Sequence, residues 1–324
     1  MMSFENTPCS GEAASVQREI PHRIPVAVLL GPTAVGKSGL ALRLAHELDY
    51  EIISCDSRQI YRGIDIRTAK LTEQLREGVV HWLIDIVNPD EEYSAFRFAQ
   101  EAQSVIHKRT AAGKKILICG GTGLYFKTLA EGGNTVVSSD PEVREDLSRQ
   151  AQEKGCTVLY TELEKVDPAY AGRIHPNDHQ RIIRALAVFR QTGVPFSEAF
   201  TRKQPPSDMR FDVFILKMPR DLLYERINAR VDAMIRTGLY DEFCNLRTKG
   251  YHEGSPGMRT VGYRELFAVE KGDCSLNDAA GIIRQSSRRY AKRQITWFST
   301  QSSGSVIEYD CDFNRVCERF RQVF

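Results

Sequence analysis

The stretch GPTAVGKS, from Gly31 to Ser38, decides the fold of this chain, because it has the form of a phosphate-binding loop. The apolar segment before it (residues 23–30, RIPVAVLL) is typical of a buried strand. The segment after it (38–49, SGLALRLAHELD) repeats apolar residues at helical spacing. Strand, glycine loop and helix in this order predict a phosphate site, in which backbone N–H groups hold phosphate oxygens, Lys37 adds charge and Ser38 can hold Mg²⁺.

Further strand-like and helical segments alternate along the chain after this loop. The segments YEIISCD (50–56), HWLIDI (81–86) and KILICGGTG (115–123) are apolar and strand-sized, and SAFRFAQEAQSVIHKRTAAG (94–113) is helical in pattern. This alternation predicts an α/β fold, a P-loop NTPase-like doubly wound parallel sheet. Ligands bind outside the carboxyl ends of such strands, where the phosphate loop, Asp56 and the GGTG loop all fall.

The pattern changes between residues 138 and 207, where amphipathic helices follow one another without a strand. We therefore expect an inserted all-helical domain at 138–207 in a catalytic core made of 23–137 and 208–324. A strand (FDVFILKMP, 211–219) resumes the core, and the C-terminal region after it is mostly helical in pattern. Residues 1–22 are expected to form a flexible tail, since they have no apolar periodicity.

Composition bounds the cellular context more than the partner. The 44 Lys and Arg and 42 Asp and Glu nearly balance, so a nucleic-acid partner must be argued from local clusters. The eight cysteines are scattered without a C-x-x-C pair, which favours reduced thiols, a cytoplasmic protein and no structural zinc. No apolar run approaches the roughly 20 residues that span a bilayer, so no membrane partner is expected.

Two polar positions at the predicted sheet edge can carry chemistry. A carboxylate beside a phosphate site, as at Asp56, suits accepting a proton or hydrogen bond from an acceptor, although it can equally cap the next turn. The GGTG loop offers glycines and Thr122 where many phosphate-loop NTPases have an acid for Mg²⁺. Asp85 could supply that acid, or could be purely structural.

Basic residues cluster in three places. Arg226 and Arg230 lie four apart on one predicted helix, and either neutralise a phosphate or pair with nearby acids. The segments RIHPNDHQRIIRALAVFR (173–190) and IRQSSRRYAKRQITWF (283–298) gather positive charge, the second with three aromatic residues. Positive charge with aromatic rings favours RNA binding, although a basic helix face is often merely solvated.

From residue 23 to residue 298 these motifs, with DPEVR (140–144) and VGYRE (261–265), together resemble the tRNA dimethylallyltransferase family, the bacterial tRNA isopentenyltransferases. The resemblance implies transfer of a dimethylallyl group from dimethylallyl diphosphate to the exocyclic amine of the adenosine 3′ of the anticodon. The tRNAs would be those reading codons that begin with U. Diphosphate would leave, Mg²⁺ would assist, and the anticodon stem–loop would bind a monomeric enzyme.

The resemblance also implies roles for individual residues. Asp56 would be the general base, with Thr122 and Lys37 as further catalytic residues and Ser38 as the metal ligand. The diphosphate would be held by Gly31, Pro32, Thr33, Ala34, Val35, Gly36, Lys37 and Ser38, with Arg226 or Arg230. The tRNA would contact Asp56, Ser57, Arg58, Gln59, Thr122, Arg144, Gln180, Arg181, Ile182, Ile183, Arg184, Arg259, Gly262, Tyr263, Arg264, Lys292, Arg293 and Gln294.

The chain departs from the family pattern at three positions: Arg67 stands where Gly is usual, Leu71 where Pro is usual, and Ser299 where Arg is common. Three other functions remain open from the residues alone. The chain could be a nucleoside or nucleotide kinase that uses ATP, an adenylate isopentenyltransferase that uses free nucleotide, or a non-catalytic RNA-binding protein with a relict loop.

Overall fold

A single parallel sheet forms the centre of the protein, whose computed structural model describes residues 23–132, 140–199 and 208–324. The expected tail at 1–22 lies outside the described residues. Six strands run in the order β3-β2-β4-β1-β5-β6, and every neighbouring pair is parallel, which confirms the predicted doubly wound sheet. The strands are β1 (Ile24–Leu30), β2 (Tyr50–Cys55), β3 (His81–Trp82), β4 (Lys115–Gly120), β5 (Met209–Lys217) and β6 (Ser305–Glu308).

Helices cover both faces of this sheet because its central strands are apolar on both faces. Ala27 and Leu29 of β1 face one apolar core, which helix α1 (Lys37–Leu48) covers. Val26 and Val28 face the other core, under α2 (Ala95–Ala111) and α3 (Gly123–Glu131). The strand and the helix that flank the phosphate loop thus both pack into the same apolar core.

Two strands differ from the sequence-based expectation. The strand expected at 81–86 keeps only two residues, because Leu83 and Asp85 take left-handed backbone with φ of 61° and 55°. The strand β6 was not expected, since we predicted a mostly helical C-terminal region. It is a four-residue edge strand with one buried side chain, Ile307, so its sequence carries little periodicity.

The inserted segment is helical and has an apolar core of its own. Its helices are α4 (Pro141–Lys154), α5 (Cys156–Val166), α6 (Pro168–Ala171) and α7 (His179–Thr192). The side chains of Asp140 and Asp178 cap α4 and α7, and Leu147, Leu163 and Leu186 lie in the shared core. The expected insertion, 138–207, begins within 133–139 and ends with 200–207, and both of these ranges lie outside the described residues.

The C-terminal region supplies a second wall above the sheet edge. It contains α8 (Arg220–Arg236), α9 (Leu239–Thr248), α10 (Tyr263–Glu270), α11 (Leu276–Gln301) and α12 (Phe313–Arg321). Helices α8 and α11 pack together, and Arg288 Nη1 donates to Asn228 Oδ1 at 2.6 Å between them. Within residues 23–132, 140–199 and 208–324, no helix has the length and apolar character needed to cross a membrane.

Candidate active site

The phosphate loop closes tightly between β1 and α1. Ala34 and Gly36 take left-handed backbone with φ of 65° and 107°, and Gly36 immediately precedes the first turn of α1. A Cβ on Gly31 would lie 2.7 Å from the Leu216 carbonyl oxygen of β5, so only glycine fits there. The loop therefore leads by a tight turn into the N-terminus of α1, and a glycine loop followed by a helix N-terminus is an arrangement that binds phosphate oxygens.

Lys37 carries the positive charge of this loop. Its Nζ donates to the carbonyl oxygen of Pro32 at 2.6 Å. Burial, with a smaller contribution from the nearby Arg230, lowers the pKa of Lys37 to about 8, although Cys119 and Asp56 oppose the shift. The side chain is therefore charged at neutral pH but loses its proton more easily than an ordinary lysine.

A cavity of about 420 Å³ opens directly over the loop. That volume is in the range of small-molecule sites. Its walls come from the phosphate loop, from the segment after β2, from α8 and from α11. The residues of interest that line it are Thr33, Gly36, Lys37, Ser38, Asp56, Arg58, Gln59, Arg67, Arg226, Arg230, Tyr290 and Gln294.

Asp56 faces this cavity from the carboxyl end of β2. Its Oδ1 accepts a hydrogen bond from the backbone N–H of Arg58 at 2.8 Å, so the carboxylate does form the local turn. No described residue donates to its Oδ2. One oxygen thus fixes the carboxylate and the other remains free to accept a proton from a molecule in the cavity.

The expected partner of Asp56, Thr122, lies behind it rather than in the cavity wall. Thr122 Oγ1 accepts a hydrogen bond from the backbone N–H of Ser57 at 3.0 Å, and the Thr122 N–H donates to the Cys55 carbonyl at 3.1 Å. Thr122 does not line the cavity. In this structure its hydroxyl holds the turn that carries Asp56.

Close packing explains the glycines of the GGTG loop. A Cβ on Gly120 would lie 2.0 Å from the Cys55 carbonyl oxygen, and one on Gly123 would lie 2.0 Å from Trp297 Nε1. Strand β2 and helix α11 therefore approach this loop too closely for any side chain.

Both arginines of α8 border the phosphate loop. Arg230 donates from Nη1 to Thr33 Oγ1 at 3.2 Å and from Nη2 to the Thr68 carbonyl at 3.3 Å. Arg226 Nη2 lies 3.7 Å from where a Cβ would stand on Gly36. Neither forms an ion pair with a described acid, so both positive charges are available to a phosphate in the cavity.

Gln294 occupies a position beside the phosphate loop that the sequence did not reveal. Its Oε1 accepts from the Thr33 N–H at 2.8 Å and its Nε2 donates to the Gly121 carbonyl at 2.8 Å. The side chain is only 7% exposed. We expected Gln294 to contact RNA, whereas the structure uses its whole amide to join the phosphate loop to the GGTG loop.

The other residues expected to contact RNA divide into surface and interior groups. Ile182, Gly262 and Tyr263 are buried, so these residues are not presented at the surface. The residues with exposed side chains are Gln180, Arg181, Arg184, Arg259, Arg264, Lys292 and Arg293, and Ser57, Arg58, Gln59, Arg144 and Ile183 are partly buried.

Part of the basic segment of α11 is bonded to α8. Arg284 pairs with Asp232 and Arg288 bonds Asn228, so these two partly exposed arginines join α11 to α8. Phe298 is 3% exposed, and Trp297 is partly buried and packs against the GGTG loop. Among the aromatic residues of this segment, Tyr290 is the one that lines the cavity.

The residues present fit a Mg²⁺ ion only in part. Ser38 lines the cavity and its hydroxyl has no described hydrogen-bond partner, whereas Asp85 pairs with Lys70 and does not line the cavity. No group of three His, Cys, Asp or Glu in the described residues could hold a metal. Ser38 with substrate phosphate oxygens is the donor set that suits Mg²⁺ here.

Comparison with known proteins gives consistent matches. Residues 59–301 match a family model described as IPP transferase. The chain is 42% identical over 304 residues to a Geotalea uraniireducens protein named tRNA dimethylallyltransferase 2, covering 93% of this chain and 98% of the relative.

Two solved structures extend the likeness to three dimensions. The first is a full-length tRNA isopentenylpyrophosphate transferase from Bacillus halodurans, with a TM-score of 0.67 and 36% identity over 92% of this chain and 94% of that chain. The second is a eukaryotic dimethylallyltransferase described as acting on tRNA, with a TM-score of 0.75 and 28% identity over 92% of this chain and 77% of that chain.

Proposed function

Because this chain belongs to the IPP transferase family, that of the tRNA dimethylallyltransferases, we propose that it prenylates tRNA. The donor is dimethylallyl diphosphate and the acceptor is the exocyclic amine of the adenosine 3′ of the anticodon, in tRNAs that read codons beginning with U. The observation that carries this proposal is that the phosphate loop and Asp56, which has one unbonded carboxylate oxygen, line the same cavity.

The donor end of the cavity suits a diphosphate leaving group. As the allylic C–O bond breaks, its electron pair leaves with the diphosphate, and negative charge grows on the phosphate oxygens. Lys37 and Arg230 are fixed beside the loop before the reaction, so they stabilise that charge without reorganising. A bound Mg²⁺, held by Ser38 and the diphosphate, would supply further neutralisation of this charge.

The acceptor end suits an adenine amine. This amine is a weak nucleophile because its lone pair is shared with the ring, and it must lose a proton as the new C–N bond forms. Asp56 Oδ2 accepts that proton while Oδ1 stays bonded to the Arg58 N–H. The base must leave its stack to reach the cavity, where the Tyr290 ring forms part of the wall.

Exposed basic residues provide the surface for the anticodon stem–loop. Arg181 and Arg184 stand on the insertion, and Arg259, Arg264 and Arg293 stand on the C-terminal region. Positive side chains position a phosphate backbone without reading its sequence. An acceptor of tRNA size explains these surfaces, which a free nucleotide would not use.

The deciding experiment incubates the protein with dimethylallyl diphosphate, Mg²⁺ and unmodified tRNA, followed by mass spectrometry of the digested nucleosides. We expect one adenosine per tRNA to gain a five-carbon unit, with release of diphosphate. Parallel reactions contain ATP labelled on its terminal phosphate in place of the prenyl donor, or AMP in place of tRNA. Labelled phosphate on an acceptor would make the protein a kinase, and prenylated AMP with unmodified tRNA would make it an adenylate isopentenyltransferase.

A further inference from the structure

Arg67 places an additional guanidinium in the active-site cavity. It lies in the segment after β2, and its Nε donates to the Val261 carbonyl. A Cβ on Gly262 would lie 2.4 Å from both Cδ and Nε of Arg67, so the arginine stem runs directly over that glycine. Gly262 also has φ of 106°, a conformation that favours glycine for a second reason.

The terminal nitrogens of Arg67 have no partner among the described residues. No hydrogen bond to Nη1 or Nη2 and no ion pair with an acid is found in 23–132, 140–199 and 208–324. Burial, together with the positive charge of the nearby Arg230, lowers the pKa of Arg67 to about 10, although Glu265 opposes the shift. The guanidinium is still charged at neutral pH, so an unpaired positive charge borders the cavity.

The cavity as a whole is arranged for an anion. Its lining contains five lysine and arginine side chains, those of Lys37, Arg58, Arg67, Arg226 and Arg230, against the one carboxylate of Asp56. Like charges held together at a partly desolvated site raise the free energy of the unliganded protein. An anion with several negative charges would relieve that cost, whereas the adenine base would not.

Arg67 lies near Arg230, which itself borders the phosphate loop. The guanidinium of Arg230 bonds Thr33 of the phosphate loop and the carbonyl of Thr68, the residue next to Arg67. The guanidinium of Arg230 thus bonds both the phosphate loop and the residue that follows Arg67 in the chain. The same arrangement puts the two arginines close enough for Arg230 to affect the charge of Arg67.

We propose that Arg67 is a diphosphate-binding residue, whose terminal nitrogens donate to oxygens of the diphosphate held by the phosphate loop. This inference rests on the proposed function. It assigns the donor subsite a cation from the segment after β2. Arg67 neutralises part of the diphosphate charge. Diphosphate binding by the wild type should therefore depend less on Mg²⁺ than binding by a variant that lacks this arginine.

The test measures binding of inorganic diphosphate to the full-length protein by calorimetry, with EDTA and then with Mg²⁺. Arg67→Met keeps the stem over Gly262 and removes the charge, and Arg67→Lys restores a charge without the fork. The control is Arg62→Ala, which removes an exposed arginine of the same segment that bonds Ile86 and Asn88 outside the cavity. Thermal unfolding of each variant verifies that it is folded, and Arg67→Gln replaces Arg67→Met if the latter is not.

We expect Arg67→Met to weaken diphosphate binding about tenfold to hundredfold in EDTA and by less in Mg²⁺. Arg67→Lys should fall between it and the wild type, and Arg62→Ala should stay within about twofold of the wild type. Unchanged diphosphate binding by Arg67→Met would overturn the inference.

A parallel titration uses an anticodon stem–loop RNA, since an RNA phosphate is the other source of this chemistry. Arg67→Met should leave RNA binding within about threefold of the wild type. Weaker RNA binding with unchanged diphosphate binding would overturn the inference and assign Arg67 to the RNA. If the wild type prenylates tRNA in either case, the proposed function stands independently of Arg67.

Discussion

The side chain of Gln294 and the backbone of Thr33 form a direct bond between helix α11 and the phosphate loop, with 2.8 Å from the Thr33 N–H to Gln294 Oε1. A second bond of the same amide reaches Gly121 at 2.8 Å. One side chain therefore sets the separation of the phosphate loop from the GGTG loop, which supports the turn of Asp56.

Replacing Gln294 by leucine should weaken the donor site and leave RNA binding unchanged. The variant leaves the Thr33 N–H and the Gly121 carbonyl without their partner, at a cost of about 1–3 kcal/mol for each buried group. We expect the KM for dimethylallyl diphosphate to rise about tenfold, with RNA affinity within about twofold of wild type. Steady-state kinetics and RNA titration give the two values.

Lys292→Ala is the matched control for Gln294, because it removes an exposed side chain two residues earlier on the same helix. It should lower RNA affinity and leave the KM for the donor unchanged. If Gln294→Leu instead behaved like Lys292→Ala, then Gln294 would contact RNA, as the resemblance alone implied.

Replacing Asp56 by asparagine should separate its structural role in the turn from its proposed role as proton acceptor. Asparagine keeps an oxygen that can accept from the Arg58 N–H, but it cannot take a proton from the adenine amine. We expect kcat to fall about 10²- to 10⁴-fold while RNA affinity stays within about threefold of the wild type. Single-turnover kinetics with saturating RNA measure the first value and RNA titration the second.

Asp85→Asn provides the control carboxylate for this experiment. Asp85 pairs with Lys70 and does not line the cavity, so we expect a lower free energy of unfolding and nearly unchanged kcat in the folded protein. A loss of kcat equal to that of Asp56→Asn would revive the alternative in which Asp85 serves the metal.

Local sequence was sufficient to bring the phosphate loop and Asp56 to the same edge of the sheet. The phosphate loop, Lys37 and Asp56 are adjacent to strands whose apolar character is plain, and parallel strands bring their carboxyl ends to one edge. The sequence does not reveal the position of a residue when that position depends on tertiary contacts. Nothing near Gln294 in the sequence indicates that its amide reaches two loops more than 170 residues away.

The same limit explains the segment around Arg284. Its basic residues suggested an RNA surface, because the acid that pairs with Arg284 is Asp232, on another helix. Likewise the left-handed backbone at Leu83 and Asp85 ends β3 early within an apolar run that favours a strand. In both cases the deciding partner or turn is set by packing, which periodicity does not contain.

Diphosphate binding should weaken at alkaline pH because of Lys37. Its pKa of about 8 means that the free protein loses this charge as the pH rises through 8. Binding an anion then requires uptake of a proton, so affinity should fall by up to about tenfold per pH unit above that value. Calorimetry of diphosphate binding between about pH 7 and pH 9.5 measures the slope.

Lys37→Arg isolates this effect, because an arginine keeps its charge through the same range and the ionisation of diphosphate is common to both proteins. Its affinity should be lower overall but should lack the alkaline decline of the wild type. The same decline in both proteins would mean that another group titrates.

Replacing Arg181 by alanine should weaken tRNA binding without affecting the chemistry. Arg181 is exposed in the first turn of α7, where it pairs with Asp178 at 3.3 Å, a contact that solvent screens. If it contacts one phosphate of the anticodon stem, its loss should reduce the slope of log affinity against log salt by about 1. RNA titrations at several salt concentrations measure this slope, and kcat at saturating RNA should be unchanged.

Arg149→Ala is the matched control within the insertion. Arg149 is equally exposed and also pairs with an acid three residues earlier, Asp146. Asp146 lies 3.5 Å from Arg190, and Arg190 is near the opposite end of α7, about 14 Å along the helix from Arg181. Loss of the Arg149 side chain should therefore leave the salt slope unchanged. Equal reductions by Arg181→Ala and Arg149→Ala would show that the insertion attracts RNA by its general charge instead of by contacts at the start of α7.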